Sequence, residues 1–150
     1  MNYWDTSCLL KLYVHEADSP VYLDLLKRQT TPIITSALAE VEFVFALSRK
    51  EADGCLKKGA TLNLTQAMRN HAAQGKIRLV PISTAVRDLA ATLARRCLLA
   101  KNPLLPLRTL DGLHLATALS LKVSGLLTAD IRLRDAALFC GLTIPEQGRL

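Results

Sequence analysis

Asn2-Tyr3-Trp4-Asp5-Thr6-Ser7 opens the chain with a short apolar run that ends on an acid and two hydroxyls. Near the other end, Gly125-Leu126-Leu127-Thr128-Ala129-Asp130 repeats the arrangement, and Ile131 to Cys140 then has helical period. Each stretch reads as a short strand running straight into a helix, because Asp, Ser and Thr favour the first, uncapped turn. Between them the alternation continues. Ser19-Pro20 opens a helix, since Ser caps and Pro is preorganised at the first helical position. Pro32-Ile33-Ile34-Thr35 is a β-branched strand, and Ser36 to about Lys50 a long helix. Thr65 to Ala73 is helical and closes at Gly75, Ile77 to Ile82 is a strand, and Thr84 to about Ala100 a helix. Thr109 to Lys122 is helical again, and Leu142-Thr143-Ile144 is a last strand. About five strands alternating with six or seven helices define an α/β domain with a parallel sheet. No repeat or linker interrupts it, so residues 1–150 read as one domain.

Composition agrees. The chain has 150 residues, 50% of them hydrophobic, which is enough for a core and excludes a disordered tail, a collagen-like fibre or a disulfide-stapled miniprotein. Cys8, Cys55, Cys97 and Cys140 are scattered without a CxxC pair and read as buried free thiols, as in a reducing cytosol. No secretory signal or membrane-length apolar run is visible, so the expected location is cytoplasmic, with no membrane partner. Nineteen basic against thirteen acidic residues leave a net +6, which suits a polyanionic partner.

The acids in apolar company carry the functional reading. Asp5 and Asp130 stand at the carboxyl ends of strands, where parallel α/β sheets bind ligands, and each also fits a helix cap. At about 100° per residue, Glu40 shares a stripe with Ala37, Val41, Val44 and Leu47, whereas Glu42 points away from it. A carboxylate on a buried helix face requires a cation or a salt bridge. Asp111 shares a face with Leu115 and Ala118 and also lies in a first helical turn, where the dipole favours negative charge. Four such carboxylates with no Gly-rich phosphate loop and no nucleophile motif point to a hard divalent cation and phosphodiester hydrolysis.

With these residues the sequence resembles the PIN-domain family, and most of all its VapC-type ribonuclease toxins. The matching motifs are Tyr3-Trp4-Asp5-Thr6-Ser7, Ile34-Thr35-Ser36-Ala37-Leu38-Ala39-Glu40-Val41-Glu42, Leu107 to Ala118 around Asp111-Gly112-Leu113-His114, and Leu127-Thr128-Ala129-Asp130. They run nearly the full chain in the family's order and spacing. The resemblance implies a PIN-like three-layer α/β/α sandwich with a central parallel sheet of about five strands. It implies Asp5, Glu40, Asp111 and Asp130 as catalytic ligands of Mg²⁺ or Mn²⁺, and Thr6, Ser7 and Thr128 as hydroxyls that orient carboxylates. It further implies cleavage of single-stranded or structured RNA by metal-activated water, a small cognate antitoxin that blocks the site, and a homodimer. The proline-stiffened segment Lys101 to Leu107 departs from the family's shorter polar turn.

Other residues are read more plainly. His114 points about 60° away from the Asp111 stripe and reads as structural. Trp4 reads as core packing, and Asp135 as the partner of Arg132 or Arg134 on a helix surface. Arg108 and Arg132 are candidate RNA-backbone contacts. With 5% aromatic residues, base stacking is not the main means of recognition. Val41 to Leu47 and Pro103 to Leu107 read as apolar surface for an antitoxin or second protomer. The alternatives are a non-catalytic PIN-like module that binds RNA or antitoxin, and a phosphatase built on Asp5. The latter lacks the second Asp two residues on, where Ser7 stands.

Overall fold

The computed structural model describes residues 1–99 and 105–145. In chain order the elements are β1 (Asn2–Trp4), α1 (Thr6–Leu10), α2 (Ser19–Arg28), β2 (Ile33–Ser36), α3 (Leu38–Ala52), α4 (Ala60–Ala73), β3 (Ile77–Val80), α5 (Thr84–Leu98), α6 (Thr109–Ser120), β4 (Gly125–Leu127) and α7 (Ile131–Phe139). The strands are short and rich in β-branched, aromatic and leucine residues. Two of the helices start on a side-chain cap: Ser83 accepts a hydrogen bond from the Val86 amide, and Asp130 from the Arg132 amide. Gly75, at φ 73, makes the left-handed turn that ends α4 and feeds β3. Ser19 does not cap α2 as expected. It is the first residue inside that helix, and its hydroxyl donates instead to the Val14 carbonyl.

All strand pairings are parallel, in the order β3-β2-β1-β4. The fifth expected strand, Leu142 to Ile144, is reduced to one parallel bridge between Gly125 and Thr143 on the outer side of β4. Parallel strands buried on both faces send successive side chains to opposite layers. Tyr3, Ile34 and Leu126 enter one core, with α5, α6 and α7. Their neighbours Trp4, Ile33 and Leu127 enter the other, with α1 to α4. The result is an α/β/α sandwich with two separate cores, and Trp4 is core packing as read. No helix among the described residues is long and apolar enough to cross a membrane.

Topology fixes the place of a site. The chain moves outward from β1 through β2 to β3, then returns to the other side of β1 to form β4. The reversal opens a crevice beyond the carboxyl ends of β1 and β4, the usual ligand position in such sheets. Asp5 and Asp130 follow those two ends.

Three expectations are corrected. All four cysteines are free, but Cys55 is exposed and Cys140 partly so. Leu105 and Leu107 pack into the α5–α6–α7 core instead of offering surface; residues 101–104 of the same segment lie outside the described residues. On α3 the buried stripe is Ala39, Phe43 and Leu47, while Val41 is 55% exposed. From Leu38 to Leu47 every residue except the two glutamates is apolar, so periodicity alone did not select the face that packs.

Gly125 yields a first prediction. A Cβ there would stand 2.7 Å from Asn2 Oδ1, 2.8 Å from Thr143 Oγ1 and 3.0 Å from Pro145 Cγ. Gly125→Ala is expected to push the Thr143 bridge off the sheet edge and to cost about 1–3 kcal/mol, read by chemical denaturation. Unchanged stability would mean that this edge yields freely.

Candidate metal centre

The crevice at the strand ends is a cleft of about 630 Å³. Asp5, Glu42, Asp111 and Asp130 line it, with Thr6 and Ser7, an apolar wall of Leu10, Leu38, Val41, Phe45 and Leu110, and Arg49. Glu40 does not. Its Oε1 lies 2.6 Å from Arg69 Nε, in an ion pair between α3 and α4. This corrects the stripe read from the sequence: Glu40 makes a salt bridge, to an exposed arginine and not to a core one, and Glu42 takes the place beside Asp5. The stripe that packs is Ala39-Phe43-Leu47, spaced four residues apart, which the nearly continuous apolar run does not single out in the sequence. It sets Glu42, Phe45, Ala46 and Arg49 along the flank that faces the cleft.

Asp5 occupies the first position before α1, yet its side chain makes no cap hydrogen bond. Its Oδ2 instead accepts from Ser7 Oγ at 2.7 Å and from Thr128 Oγ1 at 2.8 Å. Ser7 Oγ also accepts from the Ala129 amide at 3.0 Å, and Thr128 Oγ1 from the Asp130 amide at 3.0 Å. Two hydroxyls thus lock the two strand-end loops together through one carboxylate oxygen. Thr6 turns elsewhere and donates to Glu42 Oε2.

Asp130 does both things the sequence allowed. It caps α7 through the Arg132 amide and also lines the cleft. The Arg132 guanidinium, 3.0 Å from Asp130 Oδ2, is first among the causes that hold this carboxyl below its usual range. Arg108 is exposed at the start of α6.

His114 departs furthest from its reading. It is 1% exposed and its Nε2 lies 2.7 Å from Glu42 Oε2 and 3.6 Å from Asp5 Oδ1. Its place one helical turn after Asp111, with Gly112, Leu115 and Ala116 buried around it, was the available signal. Burial pushes the imidazole down, but the Glu42 hydrogen bond and the charges of Asp5, Glu42 and Asp111 outweigh it and leave its pKa raised. Burial likewise pushes Glu42 up, and the hydrogen bonds from His114 and Thr6 bring it below the usual carboxylate range. Among the described residues, Asp5, Glu42 and His114 place ligand-capable atoms within 4.8 Å of one another.

Asp111 tests whether a cation fits. Its Oδ2 is buried without a hydrogen-bond partner. Burial raises its pKa, and the charges of Asp130 and Asp5 raise it further. Asp111, repelled by Asp5 and Asp130 and with one orphaned oxygen, completes an oxygen donor set whose charge Arg132 and His114 offset in part, at Asp130 and Glu42. That donor set fits a divalent cation of the hard class.

The PIN domain family model matches residues 3–138. The chain belongs to the PIN-domain family. It is 36% identical over 146 residues to "Ribonuclease VapC46" of Mycobacterium tuberculosis, covering 95% of this chain and 94% of that one. It is 30% identical over 154 residues to "Ribonuclease VapC35" of the same organism, covering 99% and 98%. Among PIN-domain proteins it is of the VapC type. In this PIN domain the quartet Asp5, Glu42, Asp111 and Asp130 is gathered from the ends of β1 and β4 and from the starts of α3 and α6. Glu42 stands two residues beyond the acid chosen from the motif.

Proposed function

We propose that this PIN-domain protein is a Mg²⁺- or Mn²⁺-dependent endoribonuclease, the toxin of a toxin–antitoxin pair, that cuts RNA in the cleft between β1 and β4. The observation that carries the reading is the converging acid quartet with the orphaned oxygen of Asp111. Asp5, Glu42, Asp111 and Asp130 would hold the cation. When bound, it supplies an activated water for in-line attack and neutralises charge on the phosphate. Ser7 and Thr128 keep Asp5 aimed, and Arg132 steadies Asp130. Arg49 and Arg108 present cations beside the cleft for the flanking RNA backbone. The acid quartet leaves nine other acids against nineteen bases, so the rest of the molecule carries +10 and attracts polyanions to its negative notch. The expected products are 5′-phosphate and 3′-hydroxyl ends. Val41 at 55%, Phe45 at 65% and Leu110 at 45% exposure offer the antitoxin an apolar seat that would close the cleft.

The test is mapping of RNA ends in cells after brief induction, wild type against Asp5→Asn. New 5′-phosphate ends are expected with the wild type alone. The same ends at the same yield with Asp5→Asn would remove Asp5 from the reaction.

A further inference from the structure

We propose that Tyr3 and His114 form a buried positioning relay, anchored on the backbone of β2, that aims the Glu42 carboxylate into the cleft and thereby sets the metal affinity of the site. The proposal rests on the nuclease reading for the role of Glu42 and adds two residues that do not themselves touch the ion.

The chain of hydrogen bonds begins at a fixed point. The Ser36 amide, at the end of β2, donates to Tyr3 Oη at 2.9 Å. Tyr3 is fully buried, and a buried hydroxyl left without a partner is costly. Tyr3 Oη lies 2.6 Å from His114 Nδ1, donating to it when the ring is neutral and accepting from it, as it does from Ser36, when the ring is charged. The two rings meet edge to face, with centroids 5.8 Å apart, so the imidazole has little room to turn. An imidazole that accepts at Nδ1 carries its hydrogen on Nε2, and Nε2 keeps a hydrogen when the ring is charged. In either state it donates to Glu42 Oε2, at 2.7 Å.

The two carboxylates are then held alike. Thr6 and His114 both donate to Oε2 of Glu42, as Ser7 and Thr128 both donate to Oδ2 of Asp5. In each case one oxygen is tethered twice and the other is left for a ligand's charge. Partners of this kind, one bond removed from a metal, fix ligand orientation and typically change affinity by about 10–100-fold when lost. A histidine buried only to fill the core would have no reason to end on the cleft carboxylate. Its Nε2 is already committed to Glu42, which makes it a positioning residue and not a ligand.

The experiment measures Mn²⁺ binding to the purified full chain by calorimetry, together with RNA cleavage. Tyr3→Phe keeps the ring and removes only the hydroxyl. It is expected to weaken Mn²⁺ binding about tenfold and to lower kcat while KM for RNA holds. In a Glu42→Gln background the same substitution should add nothing, because the relay then has no carboxylate to aim. His114→Gln, whose amide can still donate to Glu42, should retain more affinity than His114→Leu, and this pair carries the test if Tyr3→Phe does not fold. Equal Mn²⁺ affinity in Tyr3→Phe and wild type overturns the proposal and leaves the nuclease reading standing. So does a strong ¹⁴N coupling to bound Mn²⁺ in pulsed EPR, which would make His114 a ligand. A wild type that cleaves RNA but binds no Mn²⁺ overturns the metal assignment and the relay with it.

Discussion

Asp111→Asn is expected to make the metal-free protein more stable while abolishing RNA cleavage. The two effects share one cause. Asp111 Oδ2 is buried without a partner, and the neighbouring charges of Asp130 and Asp5 repel its ionised form. An amide relieves the repulsion and keeps the shape. The amide leaves that oxygen's position unpartnered, so the gain comes from relieving the buried charge and its repulsion; about 1 kcal/mol from this source should raise Tm by about 2–4 °C in a domain of this size. The sign with pH follows from the raised pKa. The folded state favours protonated Asp111, so its contribution is fully present below the usual carboxylate value and is lost as pH rises through the raised one. Asn behaves as permanently uncharged, so its advantage should be largest near neutrality and vanish as pH falls towards about 4. Activity moves the other way, because the repulsion that destabilises the metal-free protein is what a cation binds to. Losing several kcal/mol of charge stabilisation should slow cleavage about 10³-fold, and the rise of Tm with added Mn²⁺ expected of the wild type should be absent from the variant. Thermal denaturation from pH 4 to 8, with and without Mn²⁺, and single-turnover cleavage measure all of this. A variant that is less stable than wild type at pH 7, or that cuts at the wild-type rate, sinks the assignment.

The architecture was legible because short strands and capped helices carry local signals. Asp5 and Asp130 could be placed from their strands alone, since a strand end in a parallel sheet has one topological meaning. Asp111 followed from its helix face and the first turn of α6, whereas the hydroxyls Ser7 and Thr128 came only from the likeness to the PIN-domain family. What failed was phase. On α3, apolar residues run almost continuously around both glutamates, and the choice between them depends on whether Ala39 and Phe43 or Val41 and Val44 face the sheet. That is decided by tertiary packing, which overrides a nearly uniform pattern. His114 was misjudged for a related reason: an angle measured from one helix says nothing of Tyr3 on β1 or Glu42 on α3, and both converge on it from other layers. The fifth strand was overread because a short β-branched run signals pairing without counting its hydrogen bonds, and only Gly125 with Thr143 bridges.

Glu42→Gln and Glu40→Gln, compared side by side, should separate by two to three orders of magnitude although the residues are two apart on one helix. Glu40 pairs with Arg69 at 2.6 Å, with side chains 33% and 55% exposed. Such surface pairs are worth about 0–1 kcal/mol, so Glu40→Gln should cut RNA at the wild-type rate with a nearly unchanged Tm. Glu42 meets Thr6 and the buried His114 on one oxygen and lines the cleft with Asp5 and Asp111. Its amide would lose a ligand charge and leave a buried imidazole without the carboxylate that favours its charged form. A loss of about 10²–10³-fold in single-turnover cleavage at fixed Mn²⁺ is expected, on the scale of removing one partner of a preorganised charged site. Excess Mn²⁺ should recover part of it, because what is lost is affinity as well as geometry. If Glu40→Gln were the inactive protein and Glu42→Gln the active one, the rotation of α3 about its axis would have to differ from the structure by about 160°, the angle between residues two apart. Phe43 and Leu47 would then leave the core, so a rate measurement on two conservative variants also tests the packing of a layer it never touches.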